Sequence, residues 1–268
     1  MTHKQHATIS GVCPHAQGPA EEAPVVLPPL YPASQVERVF GSHSPPQQIL
    51  HWVNSFLARP HAELGRKGPV CPFVPISLEM DTIWLAEIGH SNPDPEQVAA
   101  IITRYRDLFL EAEPKSGPDM INKAFLVVFS GLGAEGAAVV DQVQYRLKRF
   151  FVEKGLMLGE FHANNQSPGL RNPDFRPLRS PVPMLAIRYM VDSDLPFLAR
   201  EDYPPALRTT FLRTYLARLG SLLPPGKFDE AVNAVVEAEI EHRLQQGWRP
   251  QPWQVPGGMQ HTITGETV

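Results

Sequence analysis

Hydrophobic and polar positions follow two patterns along the chain, one typical of strands and one typical of helices. Apolar runs of strand length lie at 82–88, 123–129, 156–162 and 183–191. Apolar residues at the helical spacing i, i+3, i+4 occupy 44–59, 98–109, 135–154, 204–222 and 228–246. This order of elements predicts an α+β fold. We expect a four-stranded, broadly ferredoxin-like sheet with helices on one face, followed by C-terminal helices.

The distribution of proline and of apolar residues divides the chain into four parts. Residues 1–34 are polar and proline-rich without a sustained period, which predicts a flexible arm. Residues 35–200 contain all four predicted strands and form the expected α+β core domain. Residues 201–246 form a helical segment that is broken at Pro224-Pro225-Gly226, and residues 247–268 form a tail.

Composition limits the classes of function. The chain has 268 residues, of which 43% are hydrophobic and 19% charged, as in an ordinary globular protein. The formal net charge of −4 argues against a broad nucleic-acid surface. No apolar run reaches the length of a membrane span, and the N-terminus lacks the apolar core of a signal peptide, so we expect a cytoplasmic protein. The expected partner is a small anionic molecule, with no nucleic acid and no membrane, and we also consider a homodimer.

Four arginines lie close together in the sequence, and they are the first candidate site. Arg171, Arg176 and Arg179 occupy a proline-rich loop, and Arg188 lies within the following apolar strand. The guanidinium group matches a carboxylate or a phosphate, so these residues indicate an anion-binding site. In the alternative interpretation, the arginines hold an irregular loop in place through backbone carbonyls and nearby acids. The sequence leaves both interpretations open.

Glu160 and His162 lie at the end of the strand that precedes the arginine loop. Side chains two positions apart in a strand share a face, so the two residues are expected to point the same way. Such a pair can act as a general base and the residue that orients it, or as metal ligands. A hydrogen-bonded structural histidine is the alternative. We treat both residues as candidate catalytic residues.

Cys71 is the third candidate catalytic residue, and it precedes Pro72 in a turn-rich loop. A cysteine followed by proline occurs in thiolate haem sites, whereas a small buried cysteine is the simpler explanation. We therefore consider Cys71 or His162 as a haem ligand, with haem as the leading cofactor hypothesis. Cys13-Pro14-His15 repeats the dipeptide, but the spacing of its residues does not match a structural zinc site.

Three motifs carry a resemblance to a known family: LGRKGPVCPF at 64–73, GLMLGEFH at 155–162 and GLRNPDFRPLRSPVPMLAIRYMVDSDLPFL at 169–198. Together they resemble a bacterial conserved domain family of unknown function over approximately residues 45–200. The resemblance implies one coherent domain, and it implies a gene context of biosynthetic or accessory metabolism. It implies no particular reaction.

These observations support two functional hypotheses. In the first, the protein is an enzyme that acts on a small anionic metabolite, through haem- or metal-assisted oxidative chemistry in bacterial secondary metabolism. In the second, it is a non-catalytic binding or partner protein that uses the arginine loop and the C-terminal helices. We favour the enzyme, because polar side chains held by rigid, proline-bounded strands suit a preorganised site.

Overall fold

A mixed five-stranded sheet forms the centre of the protein. The computed structural model describes residues 27–89, 94–132 and 136–249. The strands are β1 (Tyr31–Pro32), β2 (Ile83–Ile88), β3 (Ala124–Phe129), β4 (Leu156–Phe161) and β5 (Met184–Tyr189). Their order across the sheet is β1-β2-β3-β5-β4. Only β2 and β3 are parallel within the described sheet, and all other neighbours are antiparallel.

Eight α-helices surround the sheet in the described parts of the chain. They are α1 (Val36–Phe40), α2 (Pro45–Trp52), α3 (Val74–Glu79), α4 (Pro95–Glu111), α5 (Gly136–Val152), α6 (Leu195–Leu198), α7 (Pro205–Leu219) and α8 (Pro225–Gln245). Two of them begin with a side-chain cap. Ser44 caps α2 by accepting a hydrogen bond from the Gln47 backbone N–H, and Asp94 caps α4 in the same way from Glu96. In both helices the first residue is proline, which has no N–H to satisfy.

Helices cover both faces of the sheet, which corrects the expectation of helices on one face. On one face, α4 and α5 pack over alternate residues of β2 and β3, such as Ala86 and Val127. On the other face, the intervening residues, such as Leu85 and Val128, pack against α1, α2 and α3. The nearly continuous apolar run of β3 agrees with a strand that is buried on both sides.

The α+β class is confirmed, but the four-stranded ferredoxin-like arrangement is not matched. The fifth strand, β1, lies within the segment that we predicted to be a flexible arm, and it pairs with Leu85 and Trp84 of β2. A two-residue strand is too short to produce a period in the sequence, so no pattern could reveal it. The four longer strands lie within one or two residues of their predicted positions.

The C-terminal helices share a hydrophobic cluster with the sheet and α5. Phe211, Leu212 and Tyr215 of α7 pack with Val152 of α5 and Met157 of β4. Ala231 and Ala238 of α8 are fully buried against the same cluster. No helix in the described residues is long and apolar enough to cross a membrane.

Candidate functional site

The end of β4 brings Glu160 and His162 beneath α5. Leu156 and Leu158 of β4 contribute to the cluster under α5, and strand alternation continues this face through Glu160. The His162 Nε2 atom lies 2.9 Å from Oδ1 of Asp141 in α5. The two candidate residues therefore share the face that the sequence predicted. Because β4 is an edge strand, one side of this site lies at the margin of the sheet.

One side of α5 presents polar residues to β4. Asp141, Gln144 and Lys148 are three and four residues apart, which places them on the same side of a helix. Gln144 donates a hydrogen bond of 3.1 Å to the backbone carbonyl of Leu158 and so holds α5 to the strand. Asp141 contacts His162 on one side of this bond. Lys148 extends toward Glu160 and the C-terminal helices on the other.

Lys148 is the most unusual group of the site, because only 6% of it is exposed. Its ammonium group donates a hydrogen bond of 3.1 Å to the backbone carbonyl of Phe197 and another to the hydroxyl of Tyr203. It also lies 4.6 Å from the centre of the Tyr203 ring, a cation–π distance. Burial lowers the pKa of Lys148 to about 8, although the negative charge of Glu160 acts in the opposite direction.

Glu160 and Tyr203 complete an acid–base cluster with Lys148. Burial raises the pKa of the Glu160 carboxyl, and the positive charges of Lys148 and Arg200 only partly offset this effect. Burial also raises the pKa of Tyr203 to about 12. The environment therefore favours the neutral forms of the carboxyl, the amine and the phenol together. Groups shifted in this way by burial and a charged neighbour are typical of sites that transfer protons.

His162 is 4% exposed and uses only one of its ring nitrogens. A carboxylate accepts hydrogen bonds, so the contact with Asp141 indicates that Nε2 carries the hydrogen. The buried Nδ1 atom then has a free lone pair, and within the described residues it has no hydrogen-bond partner. The Asp141–His162 pair thus holds one histidine tautomer in a fixed orientation.

Arg200 supplies an accessible positive charge beside the cluster. Its Nε atom donates a hydrogen bond of 3.0 Å to Asp202, and a second nitrogen contacts the other carboxylate oxygen. The guanidinium carbon lies 5.5 Å from the centre of the Tyr203 ring. Lys148 and Arg200 both act to lower the pKa of Glu160, and the Asp202 carboxylate pairs with Arg200 on the same side.

Two of the predicted anion-binding arginines hold their own loop in place. Arg176 donates hydrogen bonds to the backbone carbonyls of Pro173 and Phe175. Arg179 donates to the backbone carbonyl of Asn165 at 3.1 Å and to the Gln166 side chain at 3.2 Å. These contacts favour the loop-fixing interpretation for both residues. Arg171 is exposed, and its backbone and Cβ lie against Gly65.

A single residue, Asn165, nevertheless connects Arg179 to the acid–base cluster. The side chain of Asn165, whose carbonyl accepts from Arg179, donates a hydrogen bond of 3.2 Å to the Glu160 carbonyl. The Asn165 backbone N–H donates to the His162 carbonyl at 3.1 Å. This turn therefore connects the arginine loop directly to the strand end that carries Glu160 and His162.

Arg188 and Cys71 lie on the other face of the sheet. Arg188 is on the face of β5 that also carries Met184 and Ala186, and these two residues pack in the cluster that Cys71 borders. The two terminal guanidinium nitrogens of Arg188 donate to the two carboxylate oxygens of Asp194, at 2.7 and 2.6 Å. Burial disfavours the charged guanidinium, but Asp194 outweighs this effect and raises the pKa of Arg188. The structure does not bring Arg188 or Cys71 together with His162.

The described residues contain no set of ligands that supports the metal expectation, and they do not bring the two candidate haem ligands together. In the part of the chain that the structure describes, no group of three or more His, Cys, Asp and Glu side chains is arranged to hold a metal ion. His162 and Cys71 lie on opposite sides of the sheet, so they are separate candidates for a haem ligand. Cys13-Pro14-His15 lies outside the described residues.

Sequence reasoning missed Lys148, Tyr203 and Arg200. Lys148 had a detectable signal, because it continues the polar side of α5 that begins with Asp141 and Gln144. Tyr203 and Arg200 had none, since they lie in a short turn between α6 and α7, and only the packing of that turn against α5 brings them to the site.

The fold and site together define an α+β protein with a buried acid–base cluster at the edge of a mixed sheet. The chain belongs to the family described as domain of unknown function DUF6875, whose family model matches residues 46–227. The matched region includes Glu160, His162, Lys148, Arg200 and Tyr203. No curated protein and no solved structure matches the chain.

Proposed function

We propose that the protein is an enzyme that transfers protons to and from a small anionic metabolite. The observation that carries the proposal is the placement of half-buried Glu160 on β4 and buried Lys148 on α5 in one cluster, where each pKa is shifted toward the neutral form. A catalytic acid or base works best when its pKa lies near the operating pH. Burial moves both groups in that direction from ordinary values of 4.5 and 10.5.

In this proposal, the two groups have opposite tasks. Deprotonated Glu160 is the base that removes a proton from the substrate, and protonated Lys148 is the acid that returns one. The Tyr203 hydroxyl accepts a hydrogen bond from Lys148 and so positions the ammonium group. Asp141 holds His162 in a fixed orientation at the same strand end.

An anionic substrate suits the charges around the cluster. The side chain of Arg200 is exposed, in the turn that packs against α5. Arg179 binds the carbonyl of Asn165, at the opposite end of the turn that begins at Glu160. A carboxylate or phosphate on the substrate would bind to guanidinium groups, because two oxygens of either anion match the parallel N–H donors of a guanidinium. Of the four arginines named from the sequence, this proposal retains Arg179, as a guanidinium that its loop contacts with Asn165 and Gln166 would hold in place beside an anion.

The experiment is a search for proton transfer in deuterium oxide. The full chain is incubated with a panel of small carboxylates and phosphate esters, and mass spectrometry follows consumption and deuterium gain. We expect at least one compound to react, and we expect Glu160→Gln and Lys148→Met to lose about a hundredfold or more of the rate. The rate should rise with pH as Glu160 deprotonates and fall above about pH 8 as Lys148 loses its proton.

Lys123→Met is the matched control for Lys148→Met. Lys123 is also fully buried, and burial lowers its pKa to about 8, but its ammonium group binds the backbone carbonyls at the end of α4. The control should keep the wild-type rate if it folds, which circular dichroism checks. Full activity in Glu160→Gln, or a panel on which the wild type has no effect, contradicts the proposal.

Haem-assisted oxidation is the finer version of the enzyme hypothesis, and it depends on His162 or Cys71 as an axial ligand. The Nε2 atom of His162 already contacts Asp141, which leaves Nδ1 as the nitrogen available to iron. An absorption spectrum with and without added haemin tests this version. A Soret band that is lost in His162→Ala or Cys71→Ser supports it, and a spectrum of unbound haemin removes it.

A non-catalytic partner protein is the second candidate function. The observation that favours it is a row of large apolar side chains on the outside of α8, including Val236 and Ile240. If Val236→Glu abolishes a partner complex while the variant stays folded and no metabolite reacts with the wild type, this function replaces the enzyme.

A further inference from the structure

Helix α8 carries apolar residues on two opposite sides. The inner side includes Ala231, Ala238 and the partly buried Val235, which pack in the cluster that includes α7. The other side carries an outer ridge of large residues spaced four apart: Phe228, Val232, Val236, Ile240 and Leu244. Four of these five are exposed, with values of 41% for Phe228, 50% for Val236, 44% for Ile240 and 41% for Leu244.

The outer ridge is centred opposite the inner side. At about 100° per residue, each step of four residues turns about 40°, so the five side chains span about 160° of the helix. Ala231 and Ala238 then lie about 140° and about 160° from the middle of that span. A ridge of this spacing is one of the two kinds that helices use to pack against other helices. A solvated surface helix would carry polar residues there.

Charges along α8 are distributed unevenly between its two ends. Glu239 pairs with Arg243 at 2.9 Å and with Arg213 of α7 at 3.3 Å. Near the N-terminal end, Asp229 and Glu230 form no ion pair with any residue that the structure describes. Near the C-terminal end, Arg243 is exposed and lies on the same side as the ridge.

We propose that the outer ridge binds the outer ridge of a second copy of this chain, antiparallel, about a two-fold axis between Val236 and Ile240. In this arrangement Val236 of one copy lies opposite Ile240 of the other, and Val232 lies opposite Leu244. Each contact then occurs twice, as a two-fold interface requires. Asp229 of one copy comes within about one helical turn of Arg243 of the other, whereas a parallel pair would place Asp229 beside Asp229. The two Glu239 side chains near the axis are each paired with Arg243 and Arg213 of their own copy.

The proposed dimer interface does not include the residues of the proposed acid–base function. Helix α8 begins at Pro225, so nearly all of it follows the region 46–227 that the family model matches. Glu160 and Lys148 lie across α7 from the outer ridge. Loss of the dimer and loss of proton transfer are therefore separate results.

The oligomeric state of the full chain is the direct test. Sedimentation velocity over a range of concentrations should give a species of twice the chain mass. Val236→Glu with Ile240→Glu should raise the dissociation constant at least about a hundredfold, because two charges would enter an apolar contact from each side. Ile76→Glu is the control, since Ile76 is 49% exposed on α3 and should not change the mass.

Both variants change exposed side chains, and circular dichroism and thermal melting verify that they fold. A wild-type monomer at every concentration overturns the proposal. If deletion of residues 250–268 then produces a dimer, the ridge is covered by the chain's own tail, which also overturns it. A wild-type dimer that the double variant leaves intact overturns the choice of surface.

A charge exchange tests the antiparallel orientation independently. Asp229→Arg should raise the dissociation constant about tenfold, since it places two positive charges near each other across the interface. Adding Arg243→Asp should restore most of the affinity by reversing the pair. Arg243→Asp alone should also weaken the dimer, because it places two negative charges near each other and loses the internal contact with Glu239. If the double exchange binds no better than either single variant, the antiparallel orientation is wrong.

Discussion

The Lys148 ammonium group donates a hydrogen bond to the hydroxyl of Tyr203, a residue 55 positions further along the chain, and both side chains are buried. This bond joins α5 to the turn before α7. It keeps an amine in the protein interior where the charge of Glu160 acts on it, and it gives the fold a polar contact between α5 and the turn before α7. A buried polar contact of this kind affects both stability and chemistry, because each group lacks water as an alternative partner.

The buried lysines predict that stability increases in alkaline solution. Burial lowers the pKa values of Lys148 and Lys123 to about 8, whereas both groups return to ordinary values near 10.5 on unfolding. Between these values the unfolded chain binds more protons, so the free energy of unfolding rises with pH from about 8 to about 10. Urea unfolding across this range measures the slope. Lys148→Met and Lys123→Met should each reduce it, and a flat wild-type profile would contradict the prediction.

The Arg188–Asp194 pair predicts a large loss of stability when its carboxylate is removed. Asp194 is 1% exposed, and it accepts two hydrogen bonds from Arg188 and one of 2.8 Å from the Val191 backbone. Asp194→Ala leaves these donors without a partner and should lower the free energy of unfolding by about 3–5 kcal/mol. Asp192→Ala is the control, because that exposed carboxylate makes only a distant contact with Lys227 and should cost less than about 1 kcal/mol. Equal losses in urea unfolding would refute the assignment.

The Asp141–His162 contact predicts a single histidine tautomer. With Asp141 accepting, the neutral ring should carry its hydrogen on Nε2 and leave Nδ1 bare. Nitrogen-15 chemical shifts of the labelled imidazole distinguish the two ring nitrogens above the range in which the ring is protonated. Asp141→Ala should produce a mixture of tautomers. A wild-type ring with its hydrogen on Nδ1 would show that this interpretation of the contact is wrong.

Two glycines in the first turns of helices predict opposite effects of alanine. A Cβ atom at Gly136 would lie 2.6 Å from Leu132 Cβ and 3.3 Å from Pro183, so Gly136→Ala should cost about 1–3 kcal/mol. A Cβ atom at Gly226 meets nothing within 4 Å among the described residues. Gly226→Ala should therefore add about 0.5–1 kcal/mol by restricting the unfolded chain. Thermal unfolding compares the two, and the prediction fails if the changes have the same sign.

Local patterns in the sequence predicted much of the fold because period and capping are local properties. The strand predicted at 82–88 is Ile83–Ile88, and the helix predicted at 135–154 is Gly136–Val152. Alternation also placed Glu160 and His162 on a common face. The patterns did not reveal β1, nor that both faces of the sheet are covered, because each depends on which distant segments pack together.

The sequence alone determined four of the five described strands and five of the eight described α-helices in their order, the cluster of arginines and the common face of Glu160 and His162, since each follows from residues close together in the chain. The tertiary structure decided which of these polar groups lose water and meet a partner. It buried Lys148 against Tyr203, used Arg176 and Arg179 to hold a loop, and separated Arg188 and Cys71 from His162 by the thickness of the sheet. Burial and charge contacts set the chemistry of an ionisable group, and both are made by residues that are distant in sequence.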